Sequence, residues 1–203
     1  MPRQNRVTPD GEIVASPARG LVMGNRGCLH DAEGRLGTAR WRHAHWIICT
    51  LSFKGRWRPI MAPNRWTELF FLDEAVALAA GHRPCAECRR AAYNAYRAAF
   101  APEPLPAPEI DRRLHAARVT PTRRQIAHEA PITGLPDGTF LRLPGEAAPL
   151  LLLAGRLLPW RPEGYGPALP RPGRGMAEVL TPSPSVEALR NGYRPILHPS
   201  ATG

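Results

Sequence analysis

Residues 64–90, NRWTELFFLDEAVALAAGHRPCAECRR, decide the reading of this chain. Leu72, Ala75, Val76 and Ala79 recur at helical spacing. Asp73 and Glu74 occupy the first turn, where acids suit the positive end of the dipole, and Gly81 closes the segment as a C-terminal cap. Pro84 forces Arg83 into an extended conformation. Cys85-Ala86-Glu87-Cys88 then forms a tight turn that aims two sulfurs at one point. A second helix follows to about Phe100, with Tyr93, Tyr96 and Phe100 on one packed side. Its first N–H groups and dipole favour thiolate, as do Arg83, Arg89 and Arg90. Zinc holds thiolates at about 2.3 Å and needs two further ligands to close a tetrahedron here. A redox pair of the thioredoxin kind expects a βαβ context, whereas a helix precedes this one, so metal is the preferred reading.

The same residues resemble the metal-binding module of the Ada DNA-methylation repair protein. The resemblance rests on Phe70-Phe71, Glu74-Ala75, Ala79-Ala80-Gly81, Arg83-Pro84-Cys85 and Cys88-Arg89, and covers about 27 of 203 residues. It implies a zinc fold and, in the family, transfer of a methyl group from a DNA phosphotriester to a cysteine. The Ada module carries its other two ligands as C-x3-C before the aromatic pair. No C-x3-C occurs here, so the resemblance supports a zinc fold more than it supports methyl transfer.

The remaining ligands must come from further away. Cys28 follows the turn Asn25-Arg26-Gly27, a place from which a ligand can be presented, and His30 is its substitute or partner. Cys49 stands in phase with Ile47 and Leu51, which suits either core filling or metal ligation. His43 and His45 share one face and read as ligands or as a basic contact surface. The expected set is Cys28, Cys49, Cys85 and Cys88 around Zn2+, with His30 next in line.

Composition bounds the rest. The chain has 203 residues, 43% hydrophobic and 22% charged, which fits one domain or two small ones. No apolar run approaches the roughly 20 residues of a membrane span, so the expectation is a cytoplasmic protein without a membrane partner. Four cysteines in that compartment favour metal over disulfide. The net charge of +10 points to a polyanionic partner, although only Lys54 among the 27 basic residues is lysine, a skew that a high-GC genome also produces. Residues 1–100 hold 15 basic and 8 acidic groups, and all four cysteines.

Four regions follow. Residues 1–20 read as an N-terminal arm broken by Pro and Gly, in which only Glu12 to Ala15 could pair. Residues 21–100 form the Ada-like zinc module. It opens with strands near Leu21 to Met23 and Trp46 to Phe53, the latter turning at Lys54-Gly55 into a second run from Trp57 to Met61. Residues 101–108, APEPLPAP, make a proline-rich spacer. Residues 109–203 are a β-rich segment packed on the first, with a short helix near 109–118, strands near 140–143, 150–154 and 177–181, and a last helix turn at 186–190. The fold class is α+β.

Enzyme motifs fare poorly. P-C-x-x-C is half of the zinc-deaminase signature, but that chemistry needs a third ligand two positions before a proton-carrying Glu, and no such pair lies upstream. His30, His43, His45 and Asn64 give no ordered nuclease match. Phosphate-loop and nucleophile-elbow motifs are absent, and no catalytic residue is assigned. Arg40, Arg42, Arg56, Arg58 and Arg65 interleave with Trp41 and Trp57, a pattern that binds phosphates and stacks on unpaired bases, though Trp and Arg also pack together in ordinary cores. The expectation is a zinc-binding, nucleic-acid-binding protein with a structural metal, DNA being preferred to RNA. One alternative is a sacrificial alkyl acceptor in which zinc-bound Cys28 or Cys49 is the nucleophile. Another is a protein-interaction domain whose basicity reflects genome bias.

Overall fold

Asp73 is the N-cap of the central helix: its Oδ1 accepts from the Val76 N–H at 3.0 Å, and all six residues of the helix are buried. A helix that is apolar on every side must be enclosed on every side, and here two sheets share the task. The computed structural model describes residues 1–57 and 59–202; Arg58 lies outside the described residues. In chain order these are β1 (Gln4–Val7), β2 (Ile13–Ala15), β3 (Val22–Asn25), β4 (Ile47–Thr50), β5 (Leu69–Phe71), α1 (Glu74–Ala79), β6 (Arg83–Pro84), α2 (Arg90–Phe100) and α3 (Ala107–Arg118). There follow β7 (His128–Pro131), β8 (Phe140–Arg142), β9 (Leu150–Leu153), β10 (Arg156–Arg161), β11 (Gly164–Tyr165), β12 (Leu169–Pro170), β13 (Met176–Val179) and α4 (Ser183–Arg190).

The architecture is α+β. One sheet runs β2-β1-β5-β3-β4-β6, the other β11-β10-β9-β8-β13-β7 with β12 on β10. A single apolar cluster joins Val22, Ile48, Leu69 and Phe71 of the first sheet, the whole of α1 apart from Glu74, and Phe140, Leu151 and Leu180 from the second half. A second cluster, including Leu141, Leu152 and Val179, lies on the other face of the C-terminal sheet.

Several expectations change. The presumed arm enters the first sheet, because Arg6 pairs in parallel with Phe70 and β2 pairs with β1. The described residues of the expected run from Trp57 to Met61 do not return as a strand. Both edges of β4 are already taken, by β3 (antiparallel) and by β6 (parallel), and Pro59 has no N–H to offer a ladder. Lys54 and Gly55 do turn, at φ 52° and 65°, but they lead into an irregular loop that ends at β5. Of the expected spacer 101–108, residues 101–106 are a tight link between α2 and α3 and the last two already belong to α3; the link is pinned by Arg97, whose Nε donates to the Leu105 carbonyl at 2.7 Å. The last residues return to α1, where the Ile196 and His198 N–H groups donate to Glu74 and Asp73.

Gly81 at φ +85° needs both its conformational freedom and its missing side chain, since a Cβ there would lie 2.5 Å from Cδ of Arg118. That contact lets the chain turn from α1 into β6 beside the buried end of α3.

Candidate metal centre

Alternation along β4 creates the site. Ile48 points into the core at 0% exposure, while Ile47, Cys49 and Leu51 face the other way. The Met23–Cys49 and Met23–Phe70 pairings set Phe70, Met23 and Cys49 in one row across three strands. Asn25 and Ile47 make the next row. Beyond β4, the Cys85 N–H donates to the Ile48 carbonyl at 2.9 Å, which brings the Cys85-Cys88 turn alongside Cys49. Three sulfurs, of Cys49, Cys85 and Cys88, then lie within 4.8 Å of one another.

These cysteines form one wall of a cavity of about 670 Å3. Its floor is the outer face of the first sheet, with Met23, Asn25, Glu68 and Phe70. Its cover is the loop after β4, through Phe53, Trp57, Ile60 and Trp66. The Arg56 guanidinium meets Glu87 of the cysteine turn at 3.1 Å and ties cover to wall. Glu68 is 2% exposed, and its Oε2 accepts from the Met61 N–H at 2.7 Å.

Hydrogen bonds inside the cluster favour thiolate at one sulfur. Cys49 donates to Cys85, the Cys88 and Glu87 N–H groups donate to it as well, and together these pull Cys85 down to about 5 against its burial. The Glu87 contact is 3.4 Å long. Cys49 is pushed upward, because it is the donor to Cys85 and is itself buried.

The donor set suits a soft cation. Three sulfurs around a tetrahedral ion with bonds of about 2.3 Å stand about 3.8 Å apart, within the spacing seen. These three cysteines can hold a metal ion. Among the described residues no fourth His, Cys, Asp or Glu joins the group, so three protein donors face an open cavity.

The other expected ligands are elsewhere. Cys28 lies three residues beyond β3, past the Asn25–Ile47 pair, whereas Cys49 lies on the opposite side of that pair. Its sulfur contacts the His30 carbonyl at 3.6 Å. His30 is buried with both ring nitrogens occupied, Nδ1 by Thr67 Oγ1 at 2.6 Å and Nε2 by the Ala62 carbonyl at 3.2 Å. Cys28 and His30 are therefore removed from the ligand set.

The basic and aromatic residues separate into two places. Arg56 and Trp57 line the cavity, with Trp57 85% exposed, and Arg65 is exposed on the same loop. Arg40, Trp41 and Arg42 belong to the segment entering β4 and do not line the cavity. Trp41 packs on Trp46 and His115; Arg42 Nε donates to the Cys28 carbonyl at 3.2 Å. His45 Nδ1 contacts Asp111 at 2.9 Å, and Arg83 grips the same carboxylate with two bonds of 2.8 Å, fixing β6 to α3.

Glu68, Asn25, Met23 and Phe70 were not singled out as site residues by the sequence. The available signal was the alternation Glu68, Phe70 against Leu69, Phe71, which sends one pair to the cavity and the other to the core. Compared with family models, with curated proteins and with solved structures, the chain finds no match. Fold and site define a mixed α+β protein carrying a three-cysteine cluster able to hold a metal, and among the described residues no helix is long and apolar enough to cross a membrane.

Proposed function

We propose that Cys49, Cys85 and Cys88 bind Zn2+ and that the protein binds single-stranded nucleic acid, DNA in preference to RNA, at the rim of the cavity they line. The observation that carries this reading is the placement of the three sulfurs on the wall of an aromatic-lined cavity rather than in a closed core. A structural zinc site is normally closed by four protein ligands, whereas three leave one position for a guest. Zinc bound there would keep the sulfurs deprotonated and accept one donor atom from whatever enters.

The rim supports the polyanion. Trp57 offers an exposed indole face, Arg56, Lys54 and Arg65 stand on the same loop, and the chain carries a net +10. Aromatic faces stack on any unpaired base, and guanidinium groups take the phosphates between them. The metal also fastens the covering loop indirectly, through the Arg56–Glu87 pair on the cysteine turn.

The test combines elemental analysis with anisotropy of a labelled single-stranded oligonucleotide across a salt series. One zinc per chain, with an affinity that falls as salt rises, supports the reading. A protein that takes up no zinc, or that binds no oligonucleotide at low salt, overturns it.

A second reading is favoured by the half-buried state of Cys49 and Cys88 on the cavity wall. A thiolate reached from solvent could attack the methyl carbon of a phosphotriester, forming an S–C bond while the C–O bond breaks and the diester leaves. Incubation with methylphosphotriester DNA followed by mass analysis separates the two. One methyl gained on Cys49 or Cys88 supports transfer, and an unchanged mass rejects it.

A further inference from the structure

Donor count separates the ions that the cysteine cluster can take. Among the described residues, the sulfurs of Cys49, Cys85 and Cys88 lie within 4.8 Å of one another, and no His, Asp, Glu or further Cys joins them. The backbone holds this trio in place. Cys49 belongs to β4, which pairs with β6 through Ile47–Arg83 and Ile48–Pro84. Cys85 follows directly: its N–H donates to the Ile48 carbonyl at 2.9 Å, and its own carbonyl accepts from the Arg89 N–H at 3.2 Å. Arg89 is fixed in turn on the buried Glu74. Donors preorganised in this way lose little freedom when a ligand arrives.

The surroundings discriminate among ions. Two carboxylates line the cavity, and both are engaged, Glu68 with the Met61 N–H at 2.7 Å and Glu87 with Arg56 at 3.1 Å. Calcium and magnesium, which take about six or more oxygens, are not served by such a wall. Soft sulfur donors select soft ions. Most of the remaining lining is apolar, including Ile47, Leu51, Phe53, Trp57 and Phe70. Three thiolates leave a divalent ion with one surplus negative charge, and the Arg56 guanidinium beside the cavity is already paired with Glu87. A trivalent ion gives a neutral complex, which meets apolar walls without the desolvation penalty of a charged one.

We propose that Cys49, Cys85 and Cys88 form a binding site for trivalent arsenic, taken up as arsenous acid. The proposal goes beyond the zinc and nucleic-acid reading and rests on the sulfur cluster alone. Arsenous acid is uncharged and small, and the cavity of about 670 Å3 admits it. Three As–O bonds break and three As–S bonds form. The proton of each thiol leaves with a hydroxide as water, so three waters depart and arsenic stays trivalent throughout. A pyramidal, three-coordinate centre needs no fourth protein donor, and its lone pair faces away from the sulfurs. Cys28, whose sulfur contacts the His30 carbonyl, takes no part.

The experiment uses the full chain, reduced and freed of metal with a chelator, and one equivalent of arsenite. Intact-mass measurement should show the gain of one arsenic with the loss of three hydrogens, and the four free thiols should fall to one. Cys28→Ser should bind arsenic as before. Cys49→Ser and Cys88→Ser should each weaken it by more than about 100-fold, beyond the roughly 10- to 100-fold that losing even an outer partner of a ligand costs. The hydrogen count on the unaltered chain is decisive by itself, whatever the folding of the variants. Loss of only two hydrogens overturns the proposal, as does an adduct abolished by Cys28→Ser or retained at full affinity by Cys49→Ser. Zinc content is measured separately on the chain as purified. A chain that carries zinc but takes no arsenic overturns this proposal alone. One that takes arsenic through three sulfurs and carries no zinc supports it and overturns the zinc reading.

Discussion

Arg89, the residue after Cys88, meets Glu74 at the first turn of α1 through two bonds of 2.6 and 2.8 Å, with both side chains at most 6% exposed. Glu74 also accepts from the Tyr193 hydroxyl at 2.6 Å and from the Ile196 N–H at 2.9 Å. One carboxylate thus binds the end of the cysteine turn, the central helix and the C-terminal residues. Removing one partner of a buried pair leaves an uncompensated charge, at a cost of about 3–5 kcal/mol. Arg89→Met should lower stability by that amount in urea unfolding. The double variant Glu74→Gln with Arg89→Met should recover part of it. Equal losses in single and double variants would show that the pair does not couple.

Sulfur position makes a selective prediction for the metal. Cys49→Ser, Cys85→Ser and Cys88→Ser should each lose zinc, because two thiolates and a hydroxyl make a poor site. Cys28→Ser should retain one zinc per chain, since its sulfur is engaged with the His30 carbonyl outside the cluster. Metal content measured after dialysis against a mild chelator checks this. Loss of zinc in the Cys28 variant would return that residue to the ligand set.

What the sequence revealed depends on how far the deciding contacts reach along the chain. The helix α1 was legible because its apolar spacing, its acidic first turn and Gly81 all act within ten residues. Cys85 and Cys88 were legible as a pair for the same reason. Cys49 was legible in phase but not in destination: facing with Ile47 and Leu51 fits a core as well as a cavity, and only the neighbouring strands decide. Cys28 and His30 misled because a flexible turn can present a ligand anywhere until β3 fixes its direction. The strand β5 was hidden in three residues, and its place between β1 and β3 follows from pairings up to 64 positions away. Glu68 escaped for that reason too.

Buried histidine makes stability depend on pH. His82 is fully buried, packed on Phe71 and Trp46 and faced by the cations Arg26 and Arg118. Arg26 Nε donates to His82 Nε2 at 3.4 Å, which requires the neutral ring. Burial, then the two arginines, hold its pKa well below the usual value of 6.5. In the window below about 6.5 the unfolded chain therefore binds a proton that the folded chain refuses, and stability falls as pH falls. The slope contributed is at most about 1.4 kcal/mol per pH unit. Thermal midpoints should drop between pH 7 and pH 5, and His82→Asn should flatten that slope. A slope unchanged in the variant would assign the acid sensitivity to other groups.

The cover of the cavity offers the cleanest separation of binding from folding. Trp57 is 85% exposed on a loop without strand or helix, so its indole contributes little to the folded state. Truncation at such a position usually changes stability by no more than about 0.5 kcal/mol. A stacked base, in contrast, loses about 1–3 kcal/mol when its aromatic partner is removed. Trp57→Ala should therefore leave the unfolding midpoint and the zinc content in place while weakening single-stranded DNA binding by about 5- to 150-fold. Trp41→Ala should behave in the opposite way. Its ring lies 6.0 Å from Trp46 and 5.5 Å from His115, inside the packing around α3, so its loss should register in stability before it registers in affinity. If Trp41 and Trp57 weakened binding equally with no change in stability, the nucleic acid would have to contact the segment entering β4 as well as the cavity rim.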